Sequence, residues 1–600
     1  MPYKAAKCQL IYKGFGLKII IHQTHHKIAD FKSIFKYLEE NFKKPEKGIH
    51  IFPELFLTGY PLLDLCLQKP FVAKYQAFLE KLIHWSHSLP KDVYLLMGGL
   101  EYNLTQSGIP MTIKNVVFGV SNSFQGESLY AKKLLPNYDI FDEKKYFTKG
   151  REPQVIEVFD KKIGLLICED MWASSFHDID PVDDLQKFCQ SREIQLDAVV
   201  NLSASPFIIN KHKSRLERAV EISCLFQCPF IYVNRVGGED EILFDGRSFA
   251  VDGERKLFEG KKFRGDILEL DFPEKSQQYS TKPNSKSLTW EELFQARLNE
   301  EVQPAILRKW NNHECQEVLE ALAFGFQEYA SKNGFQKFTI ALSGGMDSAM
   351  VLTIIKLSLK KGQSVEAIYM PSIHSSSLSY DLCFDLCQRL GVKLTTMPIK
   401  FLHSAAKNLF GQSFNDPFKG LSDENIQSRL RGVLLYGRTN QVNSMAVNTS
   451  NKSELAVGYS TQYGDSVGAI SLLGDLYKSE VYALAHYINE FYQEPIPPKL
   501  IHRPPTAELR ADQKDEDSLP PYAILDAILE GILSYRYSKE DLLQKGFDQE
   551  DIDKVFTLYA RSEYKRYQFC PIIKISSKSF GFGYRIPLSS DKTFYNQSDQ

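Results

Sequence analysis

Between residues 17 and 235, short β-rich apolar runs alternate with stretches of helical periodicity. LKIIIHQ (17–23), GIHIFPE (48–54), VYLLMGGL (93–100), KNVVFGV (114–120), KIGLLIC (162–168), DAVVNLS (197–203) and PFIYVNR (229–235) are bounded by Gly, Pro or polar residues and predict strands. FKSIFKYLEENF and SRLERAVEISCLFQC carry apolar residues at helical spacing instead. Alternating and continuous apolar strands together predict a layered α/β domain ending near residue 275.

Residues 272–288, FPEKSQQYSTKPNSKSL, lose periodicity and are rich in Ser, Lys and Pro, which predicts a linker. WEELFQARLNEEVQPAILRKW then reads as a connecting helix. A second α/β unit opens with a helix around ECQEVLEALAFGFQEYA and the strand FTIAL, with further strands at VEAIYM (365–370) and SMAVNT (444–449). The expected division is an extension of unknown role over 1–16, domains over 17–275 and 316–600, and a linker with connecting helix over 276–315. The proline- and charge-containing stretch from Ile501 to about Tyr522 predicts a mobile loop over a site.

A chain of 600 residues exceeds what one core usually supports. Its 72 Lys and Arg nearly balance 74 Asp and Glu, which argues against a general nucleic-acid binder. No apolar run approaches the roughly 18 residues that cross a bilayer. The ten cysteines show no disulfide-framework spacing, so a reducing cytoplasm is expected.

Two segments carry chemistry. In IGLLICEDMW, Cys168 closes an apolar strand and Glu169-Asp170 turn the chain toward solvent, so a rigid strand could deliver a thiol to a cleft. An ordinary thiol is mostly protonated at neutral pH, so a catalytic one needs a base or cation nearby. Read alone, Cys168 is more simply a buried structural cysteine. Glu54, after Pro53 in IHIFPELFLTGYP, and Lys132, in SLYAKKLLPNYDIF, each read alone as solvated charges. Together, PELFLTGYP, K-x-x-LPNY and CEDMW resemble the Glu–Lys–Cys set of the nitrilase, or carbon–nitrogen hydrolase, superfamily.

That resemblance implies a nitrilase-like α/β sandwich. Glu54 would be the general base, Lys132 the group favouring thiolate and oxyanion, and Cys168 the nucleophile on a carboxamide. In the glutamine-using branch it places the amino acid on Tyr138, Ser205 and Lys211, the last facing the α-carboxylate. Lys133 adjoins Lys132. The family's spacing to Tyr138 implies Lys132, and strand alternation lets one of the two face the site.

The second segment is FTIALSGGMDSAMVLTIIKL. It lacks the G-K-[ST] ending of a Walker A loop. Gly344 and Gly345 still permit close backbone approach to an anion, Ser343 and Ser348 add hydroxyls, and a helix N-terminus begins near Met346. Asp347 suits the magnesium that accompanies phosphates. The string resembles the ATP pyrophosphatase family, which implies a doubly wound, Rossmann-like parallel sheet and cleavage of ATP to AMP and pyrophosphate.

DENIQSRLRGVLLYGRTN predicts a helix with Asn425 and Arg429 on one face. With NTSNKSELAVGYSTQYGDSVGAI, PPTAELR, QKDEDSLPPY and SEYKRYQ, it resembles the NAD synthetases, and the whole chain from about residue 17 is similar to the glutamine-dependent branch. Ser450 stands where that family has Gly.

The resemblance implies a ligase that hydrolyses glutamine for ammonia and adenylates deamido-NAD with ATP and Mg²⁺. It implies ATP contacts from Leu342, Ser343, Gly344, Gly345, Met346, Asp347, Ser348, Thr449 and Lys478. Asn425, Arg429, Glu454 and Lys565 would contact deamido-NAD, and Asp347 and Glu454 would hold Mg²⁺. A homo-oligomer acting on small molecules, without nucleic acid or membrane, is expected.

The competing expectations are another ATP pyrophosphatase-type amidotransferase, a tRNA-modifying enzyme, and a non-catalytic adenine-nucleotide binder. Cys224/Cys228 and Cys383/Cys387 are helically spaced without a completing ligand, so core packing is expected. His25-His26 read as a polar surface turn. No G-x-G-x-x-G occurs, so redox use of NAD is not expected.

Overall fold

The computed structural model describes residues 17–172, 178–272, 310–414, 419–510, 513 and 515–592. The expected N-terminal extension, most of the linker and the connecting helix lie outside these residues. The described chain divides into two compact units. One holds residues up to Glu239 together with Leu243–Phe272, the other Asp240–Ile242 and the residues from Trp310 onward.

The first unit is built on two six-stranded sheets. In the first, β1 (Lys18–Gln23), β2 (Gly48–Ile51) and β3 (Val93–Leu104) run parallel. β4 (Pro110–Val120), β5 (Ser128–Ala131) and the late strand β14 (Asp266–Asp271) complete it antiparallel. In the second, β7 (Lys161–Ile167), β8 (Ala198–Ser203) and β9 (Phe230–Asn234) are parallel. They are flanked by β6 (Val155–Val158), β12 (Phe249–Asp252) and β13 (Arg255–Glu259), while β10 (Val236–Glu239) and β11 (Ile242–Asp245) form a separate ribbon.

Strand alternation explains the layers. Ile19, Ile21, Ile49 and Ile51 of one sheet meet Ile163, Leu165, Ile167, Val200 and Leu202 of the other in a single apolar cluster. On the outer face of the second sheet, Leu166, Val199 and Phe230 pack with Leu185, Ala219 and Ile222 from the helices Pro181–Ser191 and Lys211–Phe226. The outer face of the first sheet is covered by the helices Phe31–Asn41 and Lys69–Ser86, with Phe31 stacked on Phe78. Each fully buried large apolar side chain contributes about 1.5–3 kcal/mol, so the parallel strands are held from both sides.

Two expected strands are shorter than their apolar runs. β2 stops at Ile51, because Pro53 has no N–H to donate and the chain turns through Leu55 at φ +48°. His26 is half-buried against Tyr37 and Phe56 rather than a surface residue.

The second unit contains a four-stranded parallel sheet in the order β17 (Lys393–Thr396), β16 (Ser364–Tyr369), β15 (Lys337–Leu342), β18 (Met445–Ala446). β18 is two residues long, against an expected six, because Val447 onward peels away into the loop that carries Thr449. From β15 the chain moves first to one neighbour, β16, and later returns to the other, β18. This places a topological switch point, where α/β sheets open a crevice, at the C-terminal end of β15.

Candidate active sites

In the first unit, the residues at three strand ends converge. The Lys132 ammonium is 1% exposed and donates to Glu54 Oε1 at 2.7 Å and to Glu143 Oε1 at 2.8 Å. Glu54 is oriented at both oxygens: Asn115 Nδ2 donates to Oε1 at 2.7 Å, and Ala204 N to Oε2 at 2.8 Å. Cys168, buried, starts a short 3₁₀ turn at φ +46°, a conformation that costs a non-glycine residue about 1–3 kcal/mol. Burial pushes the Cys168 thiol well above its ordinary pKa. Glu54 pushes it further the same way, and Lys132 pulls it back.

Lys133 turns away and ion-pairs with Asp184. Its N–H and that of Leu134 donate to Asp170 Oδ1 at 3.0 and 2.7 Å, while Ile167 N and the Tyr130 hydroxyl take Asp170 Oδ2. One buried carboxylate thus ties the segment after β5 to the turn that carries Cys168.

Tyr138 donates to Glu169 Oε1 at 3.0 Å, beside Cys168. Ser205 N donates to Asn234 Oδ1, and Ser205 Oγ accepts from Arg215, whose guanidinium also binds Asp245. Lys211 opens the helix behind them. Burial first, and then Arg215, lower its pKa to about 8, while nearby Cys168 and Glu169 oppose that shift.

Glu143 was absent from the sequence-based set. It accepts from Lys132 and Tyr60, and burial raises its carboxyl to about 7 against the pull of Lys132. Its only sequence signal is an acidic residue eleven positions after Lys132 in a charged DEKK stretch, which reads as solvated surface.

In the second unit, the Ser343–Ser348 loop occupies the switch point. Gly344 sits at φ +82°, and a Cβ there would lie 2.8 Å from the Ser379 backbone, so only glycine fits without a shift. Ser343 Oγ accepts from Gly345 N at 3.1 Å and lies 3.2 Å from Ser348 Oγ.

The loop borders a cavity of about 230 Å³. Leu342, Ser343, Gly345, Met346, Asp347, Ser348, Thr449, Glu454 and Lys478 all line it, as do Arg503, Pro504, Pro505 and Thr506 from the expected covering segment. Arg503 Nη1 donates to Gly344 O at 2.9 Å.

Lys478 ion-pairs with Asp347 and lies 3.4 Å from Glu454. Asn451 links the pair. It caps the helix Lys452–Val457 by accepting from Glu454 N, and its Nδ2 donates to Asp347 Oδ1 at 3.1 Å. Burial raises the Glu454 carboxyl to about 8, and the adjacent Asp347 adds to that.

Asn425, Arg429 and Lys565 lie outside this cavity. They grip one neighbouring loop: Asn425 accepts from Thr461, Arg429 donates to Gln462 O, and Lys565 donates to Gly458 O and Ser460 O at 2.6 Å.

The pattern of the carbon-nitrogen hydrolase family matches residues 21–176, and that of the NAD synthase family residues 318–569. A glutamine-dependent NAD(+) synthetase of Aquifex aeolicus is 34% identical over 600 residues, covering 96% of this chain and 99% of the relative. The chain belongs to the glutamine-dependent NAD(+) synthetase family. The Thermotoga maritima member is 32% identical over 96% of this chain and 98% of its own. The solved structure of the Acinetobacter baumannii glutamine-dependent NAD+ synthetase in complex with adenosine diphosphate is 30% identical, with a TM-score of 0.67. The match covers 96% of this chain and 98% of that one. The Cytophaga hutchinsonii synthetase, 18% identical with a TM-score of 0.75 over 97% of this chain and 99% of its own, shares the fold. Members of this family are ligases, and the nitrilase-like and parallel-sheet units described above are its two parts.

Proposed function

We propose that this chain converts deamido-NAD to NAD, taking nitrogen from glutamine and cleaving ATP to AMP and pyrophosphate. The observation that carries the reading is the pairing, in one chain of this family, of a buried Glu54–Lys132–Glu143 network against Cys168 with the Ser343–Ser348 loop and Lys478 around a cavity.

Because burial raises the Cys168 thiol, the proton leaves as attack begins, and Glu54 is the base that takes it in this reading. Attack on the glutamine carboxamide forms a C–S bond and an oxyanion, which the Lys132 ammonium stabilises. Glu54 returns the proton to the departing nitrogen, ammonia leaves, and water then cleaves the thioester to glutamate. Tyr138, Ser205 and Lys211 hold the amino-acid end, with the Lys211 ammonium on the α-carboxylate.

In the second unit, a carboxylate of deamido-NAD attacks the α-phosphorus of ATP and expels pyrophosphate. Ammonia then attacks the resulting acyl adenylate and expels AMP. Adenylation is required because a carboxylate is a poor electrophile. The Ser343–Ser348 backbone, Thr449 and Lys478 bind the nucleotide, and Asn425, Arg429, Glu454 and Lys565 the dinucleotide.

Two carboxylates sharing one ammonium, with burial raising the Glu454 carboxyl to about 8, are a donor set short of positive charge, which fits Mg²⁺. Among the described residues no group of three such side chains forms a cage by itself, and ATP phosphates would supply the other oxygens. Bound there, Mg²⁺ would neutralise charge developing on the departing pyrophosphate. No described helix is long and apolar enough to cross a membrane, and a cytoplasmic place belongs to this reading.

The test is NAD formation from deamido-NAD, ATP and Mg²⁺ with glutamine or ammonium as nitrogen source. Wild type is expected to use both, and Cys168→Ala ammonium alone. Equal loss of both activities in the variant would overturn the division of labour, and no NAD from wild type with either source would overturn the reading.

A further inference from the structure

We propose that Asp526 is a positioning residue of the synthetase site, holding Lys478 and Glu454 in register without touching substrate. The inference rests on the proposed function only for its catalytic readout.

Asp526 lies on the helix Tyr522–Glu530 and is 0% exposed. Among the described residues no cation hydrogen-bonds it. Ser453 Oγ donates to Oδ1, and Ser479 donates to Oδ2 twice, through N at 2.9 Å and Oγ at 2.7 Å. Ser453 Oγ in turn accepts the N–H of Lys478 at 2.9 Å.

Those two serines bracket the chemistry. Ser453 precedes Glu454, and Ser479 follows Lys478. The first turns of two helices, Lys452–Val457 and Lys478–Phe491, are therefore fastened to one carboxylate from a third. These first-turn N–H groups have no partner within their own helix, and without the carboxylate those of Lys478 and Ser479 lose their fixed acceptors.

The same third helix supports Lys478 a second time. The Tyr522 ring lies 5.2 Å from the Lys478 ammonium, and its hydroxyl donates to Asp515, which lines the cavity. An ammonium shared between Asp347 and Glu454 must be presented at a set angle to bind phosphate oxygens instead. The serine–carboxylate clamp sets that angle from the backbone, through residues that do not themselves line the cavity.

The proposal predicts that Asp526→Asn weakens binding of Mg²⁺·ATP about tenfold, the lower end of what losing an orienting partner costs a site. In ammonium-dependent synthesis the loss should fall mainly on KM for ATP and on kcat, with a smaller rise in KM for deamido-NAD through Glu454. Ser453→Ala should have a similar but smaller effect, and should add nothing in the Asp526→Asn background, because both act through the same N–H of Lys478. Binding is read by calorimetry on the full chain, with wild type in parallel.

A lowered melting temperature with wild-type ATP affinity, or single effects that simply add, would overturn the proposal and leave a merely structural aspartate. If Asp526→Asn is insoluble, Ser453→Ala decides: unchanged ATP affinity rejects the proposal. If wild type binds ATP but makes no NAD, the functional reading fails, while the ATP affinities still judge Asp526.

Discussion

At the scale of single residues, burial decides what the sequence left open. Lys132 and Lys133 are both buried, yet Lys132 meets two carboxylates beside Cys168 and Lys133 meets Asp184 on the far side. Lys132→Met should therefore reduce glutaminase turnover by at least about 100-fold, as loss of an oxyanion donor does, while Lys133→Met keeps most of it. Single-turnover release of glutamate separates the two. Lys211 offers a pH test. Its ammonium loses its proton near pH 8, so it is charged below and neutral above. If that charge binds the α-carboxylate, kcat/KM for glutamine falls as pH rises through about 8, since this ratio reports the free enzyme. Lys211→Arg stays charged and should lose that limb. A limb that survives the substitution assigns it to another group. Glu54, Lys132 and Cys168 were legible because each stands in a distinctive word. Glu143 was not, because its neighbours are charged and its burial comes from residues as distant as Tyr60.

At the scale of elements, the strand–loop–helix of residues 337–358 shows how local sequence builds a site. β15 ends, Gly344 turns with positive φ, and the following helix, Met346–Ser358, is apolar on nearly every side because it is packed all round. Gly344→Ala forces a Cβ against the Ser379 backbone and strains the turn by about 1–3 kcal/mol. A drop in ATP affinity of about tenfold, equivalent to 1.4 kcal/mol, is expected with glutamine hydrolysis in the first unit unaffected. Titration of the variant with ATP checks it, and wild-type affinity would show that the loop tolerates a Cβ. The periodicity of these elements was readable, but their ends were less so. The apolar runs at 48–54 and 444–449 continue past the strands, because apolar character reports burial, and both chain segments stay buried after leaving the sheet.

At the scale of the whole molecule, two units carry chemistries whose product and substrate match. If the units work as one enzyme, adding deamido-NAD, ATP and Mg²⁺ should raise the rate of glutamine hydrolysis. An unchanged rate would mean independent sites. Composition, periodicity and the words around Cys168 and Ser343 determined the α/β class, the two-part organisation and the family resemblance, since local sequence dictates strands, turns and the groups at their ends. What only the tertiary structure decided is which charges meet. The second carboxylate on Lys132, the Asp170 tie and the Asp526 clamp each depend on tertiary contact, the last two between residues 37 and 73 positions apart. Their meaning comes from shared burial, where an unpaired polar group is costly and every donor must find its acceptor.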